Sequence, residues 1–254
     1  MPASAMMLSG TAASIPPSGA TKWVFLPIVG QKYSDFGSTL QTSNGGIVEQ
    51  YSDTSGSGHH AIWVGGSHTT LDTVNTYLGN ATLALTGGQF LQIPSASGFS
   101  GTTGAMLYIV LKATADNPGA RKAACKFLNA SGGGTFNSGV GLVYPNASGN
   151  VDARLGGDAL NTFTPGISIS GAFRVVTIAA KTNFCEVKHN GVLKYSDASH
   201  VWNDDGSVNR LGIDEVAGGF DGNVACVILY NGIPNPTEQA VTDAYISTGT
   251  GSPF

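Results

Sequence analysis

The sequence predicts an all-β fold of two antiparallel sheets packed face to face, with one short C-terminal helix. Three observations point there. Short apolar, β-branched runs recur along the chain, separated by turns rich in Gly, Ser, Thr and Asn. Asn190-Gly191 lies between two alternating segments. A type I′ hairpin turn needs positive φ at both central residues, and Asn-Gly tolerates that best. Asn223 to Tyr230 is apolar on both faces, the pattern of a strand covered by a further layer.

The elements follow in order. Residues 1–20 read as a flexible N-terminal arm, because Pro2, Pro16 and Pro17 among Ala, Ser and Gly build no core. Met6, Met7 and Leu8 give the arm something to bury, so a docking peptide and a plain tail both fit. Residues 21–254 then form one domain. Residues 22–30 read as a strand bent at Pro27. Residues 52–60 read as a flexible polar loop, and residues 61–64 as a short strand. Met106 to Lys112 is the clearest central strand of the first half, followed by strands at 123–128 and 139–144. Gly132 to Gly134 between them is a permissive turn. Phe173 to Ala180 is a buried strand. The helix spans 236–246: Asn235 is its N-cap, Pro236 suits the first turn, and Glu238 completes a capping box. Ala240, Val241, Ala244 and Tyr245 share one face, which predicts packing on the sandwich edge.

The order of parts beyond residue 170 resembles the laminin-G-like branch of the concanavalin A-like jelly rolls. The matching residues are Asn190-Gly191, Leu211-Gly212, Phe220-Asp221-Gly222, Tyr230-Asn231 and Thr237-Glu238. More weakly, Tyr33-Ser34-Asp35 and Gly45-Gly46 look like that family's first strand and turn, and Leu83 to Pro94 like its early hairpin. The resemblance implies a jelly-roll sandwich over about residues 20–250. Where calcium-binding relatives carry acidic residues in that hairpin, this chain has Gly88-Gln89, so no calcium site is expected there.

Composition narrows the function. The chain has 254 residues, 36 of them Gly, with 11% charged and a formal net charge of −4. Its basic residues are scattered, which argues against nucleic acid and against a polybasic membrane patch. No apolar run approaches a membrane span, and the N-terminal residues lack the basic and apolar regions of a signal peptide. A leaderless, weakly charged jelly roll with a small-residue arm is similar in style to a surface protein of a phage or phage-like particle such as a gene transfer agent. It would be made in the host cytoplasm, reach the virion by assembly, dock on virion proteins through the arm and act as a homo-oligomer. Cys125, Cys185 and Cys226 are odd in number and lack a CxxC spacing. Neither a disulfide framework nor a zinc site is signalled, and buried free thiols are expected. Whether Cys185 and Cys226 lie on neighbouring strands stays open.

Three groups of residues bear on chemistry. Retaining glycosidases of this fold place two carboxylates on one sheet face through a Glu-x-Asp-x-x-Glu strand. Here Glu49, Glu186, Glu215 and Glu238 show no such spacing, and Asp214-Glu215 would point to opposite faces. No catalytic residue is assigned. His59, His60 and His68, with Asp53 and Asp72 nearby, lack a metal-ligand spacing and read as a polar loop. No metal and no cofactor is expected. Trp202-Asn203-Asp204-Asp205 joins an aromatic face to amide and carboxylate acceptors, the mixture that sugar recognition uses. Tyr144 and Asn146 form a similar pair. The competing reading is that Trp202 plugs the sandwich edge, with Asp204-Asp205 in a turn. The expected function is therefore non-enzymatic binding of host polysaccharide on a virion, as a head spike, head fibre or tail component. A structural decoration or adaptor protein without sugar binding is the first alternative, and a polysaccharide-degrading enzyme the second.

Overall fold

The computed structural model describes residues 22–25, 32–35, 39–53, 55, 58–94, 103–115, 122–129, 139–144, 152–155, 168–203, 208–214 and 218–247. Its first strands are β1 (Lys22–Phe25), β2 (Lys32–Tyr33), β3 (Ile47–Val48), β4 (Gln50–Tyr51), β5 (Ala61–Ile62), β6 (Thr69–Tyr77), β7 (Asn80–Leu85) and β8 (Leu91–Gln92). The middle of the chain adds β9 (Gly104–Ala113), β10 (Lys122–Asn129), β11 (Val140–Tyr144), β12 (Asp152–Leu155), β13 (Arg174–Lys181), β14 (Phe184–His189) and β15 (Val192–Asp197). Then come β16 (Val208–Leu211), β17 (Ile213–Asp214), β18 (Gly218–Gly219), β19 (Gly222–Asn231) and the helix α1 (Pro236–Ser247). The arm and Gly132 to Gly134 lie outside the described residues.

Sheet A runs β15-β14-β13-β9-β19-β7-β6-β3, with β1 beside the second half of β19. Sheet B runs β12-β11-β10-β16-β8-β5-β4-β2, with β17 and β18 near β10. The strand pairings are antiparallel apart from the single contact of β18 with β10. The fold is the two-sheet antiparallel sandwich with one C-terminal helix that the sequence predicts.

Period-2 alternation divides β9 between two cores. Leu107, Ile109 and Leu111 enter the inter-sheet core with Phe127 and Leu142 of sheet B. Met106, Tyr108 and Val110 face outward into a second apolar cluster with Ile228, Tyr230 and Ile246. β19 is likewise buried on both faces, and a bulge between Val224 and Cys226 shifts its register. The bulge turns the Ala225 carbonyl to the Tyr51 hydroxyl of sheet B, which donates to it at 2.9 Å. That bond satisfies a backbone acceptor that would otherwise be buried unpaired.

The Phe-Asp-Gly turn divides its labour among three residues. Phe220 is fully buried in the inter-sheet core. The Asp221 carboxylate accepts from Gly87 N at 2.7 Å, and its carbonyl accepts from Thr114 N. Gly222 sits at φ +154, where a Cβ would meet the Lys112 carbonyl at 2.2 Å. The predicted hairpin turn is present: Asn190 and Gly191 have φ 48 and 76.

Three expectations need correction, and the open question of Cys185 and Cys226 is answered. Leu83 to Pro94 is not a hairpin, because β7 belongs to sheet A and β8 to sheet B; Thr86 to Gln89 carries the chain between layers. Of residues 52–60, the described ones around Asp53 are held by hydrogen bonds rather than free. Ser52 and Asp53 are buried, and the Asp53 carboxylate accepts from Ser55 N, Ser55 Oγ and His59 N. The helix packs on the outer face of sheet A, not the edge, and buries Thr242, Ile246 and Ser247 while Ala240, Val241 and Ala244 are exposed. Cys185 and Cys226 are separated by two strands and face opposite sides of sheet A, so they cannot pair within the chain. All three cysteines are free and buried. Burial pushes the Cys185 thiol up to about 11 and Cys125 up to about 12, which leaves them inert as nucleophiles.

Candidate functional site

The two outer faces of the sandwich differ. On sheet A, α1 covers the apolar cluster. The capping box is formed in full: Asn235 Oδ1 accepts from Glu238 N, and Glu238 Oε2 from Asn235 N, each at 3.0 Å. Two tyrosines then clasp the helix. Tyr77 donates to the Ile246 carbonyl, and Tyr230 bonds Thr242 Oγ1 at 2.7 Å. Between α1, β13 and β14 a cavity of about 60 Å³ remains, lined by Tyr108, Thr177, Lys188, Gln239 and Asp243. That volume holds a few waters and no larger ligand.

Sheet B carries no such cover from α1. Its register aligns one outward row across six strands. Gln50 lies opposite Ile62, Ile62 opposite Gln92, Gln92 opposite Arg210, Arg210 opposite Lys126, and Lys126 opposite Gly141. Each is the strand neighbour of a core residue: Tyr51, Ala61, Leu91, Leu211, Cys125 and Leu142 all point inward. Arg154 occupies the next register position beyond Gly141. Gln50 and Lys126, at the two sides, are 7% and 1% exposed, whereas Ile62, Gln92 and Arg210 are half-buried. The accessible part is therefore the centre.

Local bonds hold the row in shape. Arg210 Nε donates to Gln92 Oε1 at 3.4 Å, and its guanidinium lies 5.0 Å from the Phe90 ring centroid. Gln50 Nε2 donates to Ser52 Oγ at 3.0 Å. Next to Gln50 and Ile62, the Trp63 ring stacks on His68 at 4.2 Å, and His68 Nε2 lies 3.2 Å from Glu49 Oε1. The row thus offers amide donors and acceptors, a guanidinium, and apolar surface from Ile62 and Phe90, a set suited to hydroxyl-rich ligands. None of its positions from Gln50 to Gly141 is a carboxylate, so the acid and nucleophile of double displacement do not come from it.

Of the residues nominated from the sequence, Trp202 and Asn203 sit at the end of the sandwich. The loop after β15 bridges the layers: the His200 carbonyl accepts from Asn183 N, and the Asn203 carbonyl from Gly139 N. Trp202 is half-buried against the inter-sheet core and Asn203 is exposed. Tyr144 ends the strand that Gly139 precedes, about 17 Å from it along the chain. Asp204, Asp205 and Asn146 lie outside the described residues. Among the described residues no cluster of three His, Cys, Asp or Glu is arranged for a metal ion. Asp72 is engaged elsewhere, accepting from Val74 N, Asn75 and Asn223 on sheet A.

No protein-family model matches the chain, and no curated protein does. Solved structures share its fold. An arabinofuranosidase complexed with arabinofuranosyl-alpha-1,2-xylobiose superposes with a TM-score of 0.60 at 15% identity, over 80% of this chain and 51% of that one. Domain 4 of AbnA, a GH43 extracellular arabinanase from Geobacillus stearothermophilus, in complex with arabinotriose, gives 0.56 at 17%, over 76% and 91%. Trypanosoma rangeli sialidase in complex with sialic acid gives 0.62 at 15%, over 92% and 34%. The chain shares their β-sandwich fold. It spans about half the length of the arabinofuranosidase and nearly all of the arabinanase domain.

Proposed function

We propose that this protein is a non-enzymatic carbohydrate-binding sandwich whose outer sheet-B face holds a polysaccharide. The observation that carries the reading is the accessible centre of the sheet-B register row, Ile62–Gln92–Arg210, on the face α1 does not cover. Gln92 and Arg210 supply hydroxyl partners, and Phe90 and Ile62 supply apolar contact. Asn203 at the rim extends the surface; Trp202, Asp204 and Asp205 would complete it if the ligand reaches the sandwich end. Fold likeness to proteins solved with arabinotriose and sialic acid is in keeping with this reading.

We place the protein on the virion of a tailed phage or phage-like particle, docked through residues 1–20. Its weakly charged composition, rich in Gly, and the small-residue arm support this. Purified particles should contain the chain, and removing residues 1–20 should abolish its incorporation.

Glycan-array screening followed by titration calorimetry tests the binding reading. Gln92→Ala and Arg210→Ala should each weaken binding about tenfold while the circular dichroism spectrum stays native. Trp202→Ala should act similarly only if the rim takes part. Absence of any glycan ligand would leave a structural decoration protein, and release of reducing ends would mark an enzyme.

A further inference from the structure

A second polar site lies on the other sheet, at the end of the β13–β14–β15 edge marked by the Asn190-Gly191 turn. Arg174 opens β13, and His189 closes β14 opposite Val176. By alternation both belong to the inner face, one step beyond the core residues Val176 and Val187. Lys194 sits on β15 where the register shifts, and its charge acts on the His189 ring.

Two nitrogens there are unusual. Arg174 Nε and His189 Nε2 are both buried and make no hydrogen bond among the described residues. The other ring nitrogen of His189 is engaged by the Ser168 backbone, which fixes the ring and leaves Nε2 aimed away from it. No carboxylate of the described residues lies within ion-pairing distance of Arg174 or Lys194. Burial, then Arg174, then Lys194 hold the His189 imidazole below its usual pKa. Among the described residues, the positive charge of this corner and its buried Arg174 N–H have no acceptor.

We infer that Arg174, His189 and Lys194 form an oxyanion-binding site, suited to a carboxylate, phosphate or sulfate group. The Arg174 N–H and the Lys194 ammonium donate to the anion, and His189 takes up a proton to become a third donor. The site is independent of the sheet-B row and does not rest on glycan binding there.

The test is a pH titration of the His189 ring by NMR at constant ionic strength, assigned by the resonance missing from His189→Gln. Sodium chloride is compared with inorganic phosphate, sulfate and glucuronate. The three oxyanions should raise the His189 midpoint and the melting temperature in a saturable way, and bind more tightly as pH falls. Glucuronate outperforming phosphate and sulfate would mark an acidic sugar as the natural ligand, and the reverse order a phosphate or sulfate group. Arg174→Gln and Lys194→Gln should each weaken binding about tenfold. Arg174→Gln should also raise the midpoint in chloride alone, since it removes a repelling charge. Equal shifts in chloride, or full affinity in both variants, would overturn the site.

Discussion

The outer faces of the two sheets make opposite uses of the same alternation. On sheet A, the positions beside core residues are Met106, Tyr108, Val110, Ile228 and Tyr230, and they are covered by α1. On sheet B, the corresponding positions are Gln50, Ile62, Gln92, Arg210 and Lys126. A strand with both faces apolar must be covered, whereas one with a polar outer face can stay open to solvent or ligand. The helix is weakly amphipathic, so its attachment depends on tyrosine hydroxyls as well as on apolar area. The difference assigns a structural role to the apolar outer face of sheet A and leaves the centre of the sheet-B row as the accessible polar surface.

Removing a large side chain from each face is the most direct way to break the comparison. Tyr230 is fully buried, packs edge-on to Tyr108 at 6.3 Å and bonds Thr242. Tyr230→Ala should cost about 3–5 kcal/mol in urea unfolding, the usual range for emptying an aromatic site. Gln92→Ala on sheet B should change stability by less than about 0.5 kcal/mol. Similar losses for the two would show that the faces do not divide their roles.

Smaller changes sharpen how the helix is held. Asn235→Ala removes the side-chain acceptor of the capping box and should cost about 1 kcal/mol. Tyr230→Phe keeps the ring and loses only the hydroxyl bond, and should cost about 1 kcal/mol as well. The cap and the clasp lie on one helix but share no partner. Their double variant should therefore show nearly additive loss in the same unfolding measurement.

The legible parts of the fold were those written in contiguous residues. Asn190-Gly191, the capping box of Asn235 and Glu238, and the doubly buried β19 each carry a local signal, and each is found. β6 carries no local signal, because TTLDTVNTY is polar on its solvent side and its hairpin turn uses Leu78-Gly79, with Leu78 at φ 56. A change of sheet between Leu83 and Pro94 leaves no mark on alternation. The buried face of the helix joins Ile246 to the polar Thr242, which meets Tyr230, and hydropathy does not count that bond. The sheet-B row was invisible for a further reason. Gln50, Gln92, Lys126 and Arg210 come from strands far apart in sequence, and only their pairing makes them neighbours.

A charge on the sealed face offers a subtler probe. Burial raises the Asp243 carboxyl above its ordinary value of 3.8, while Lys188 and the Tyr108 hydroxyl pull it partly back. A carboxyl raised on folding is favoured in its protonated form, so ionising it at neutral pH costs stability. Asp243→Asn should therefore raise the melting temperature at pH 7. The advantage should shrink as pH falls through the raised value and vanish near 3.8. Asp243 is exposed, so the effect is smaller than that of the cap. An advantage constant with pH would assign the gain to something other than this charge.

The smallest expected effect lies on the open face, between Arg210 and Phe90. The guanidinium sits 5.0 Å from the ring centroid, and Arg210 Nε reaches Gln92 at 3.4 Å. A half-exposed cation over an aromatic ring contributes about 0.5–1 kcal/mol. A double-mutant cycle of Arg210→Ala and Phe90→Ala, read in urea unfolding, should return a coupling near 0.5 kcal/mol. The same cycle read in glycan binding discriminates more finely. If Phe90 serves to hold the guanidinium in place for a ligand hydroxyl, Phe90→Ala should weaken binding in the Arg210 background and do little once Arg210 is already Ala. If Phe90 instead stacks on the sugar itself, its loss should weaken binding equally in both backgrounds. Strong coupling in stability with none in binding would give sheet B a structural role like that of sheet A, and the contrast between the faces would fail.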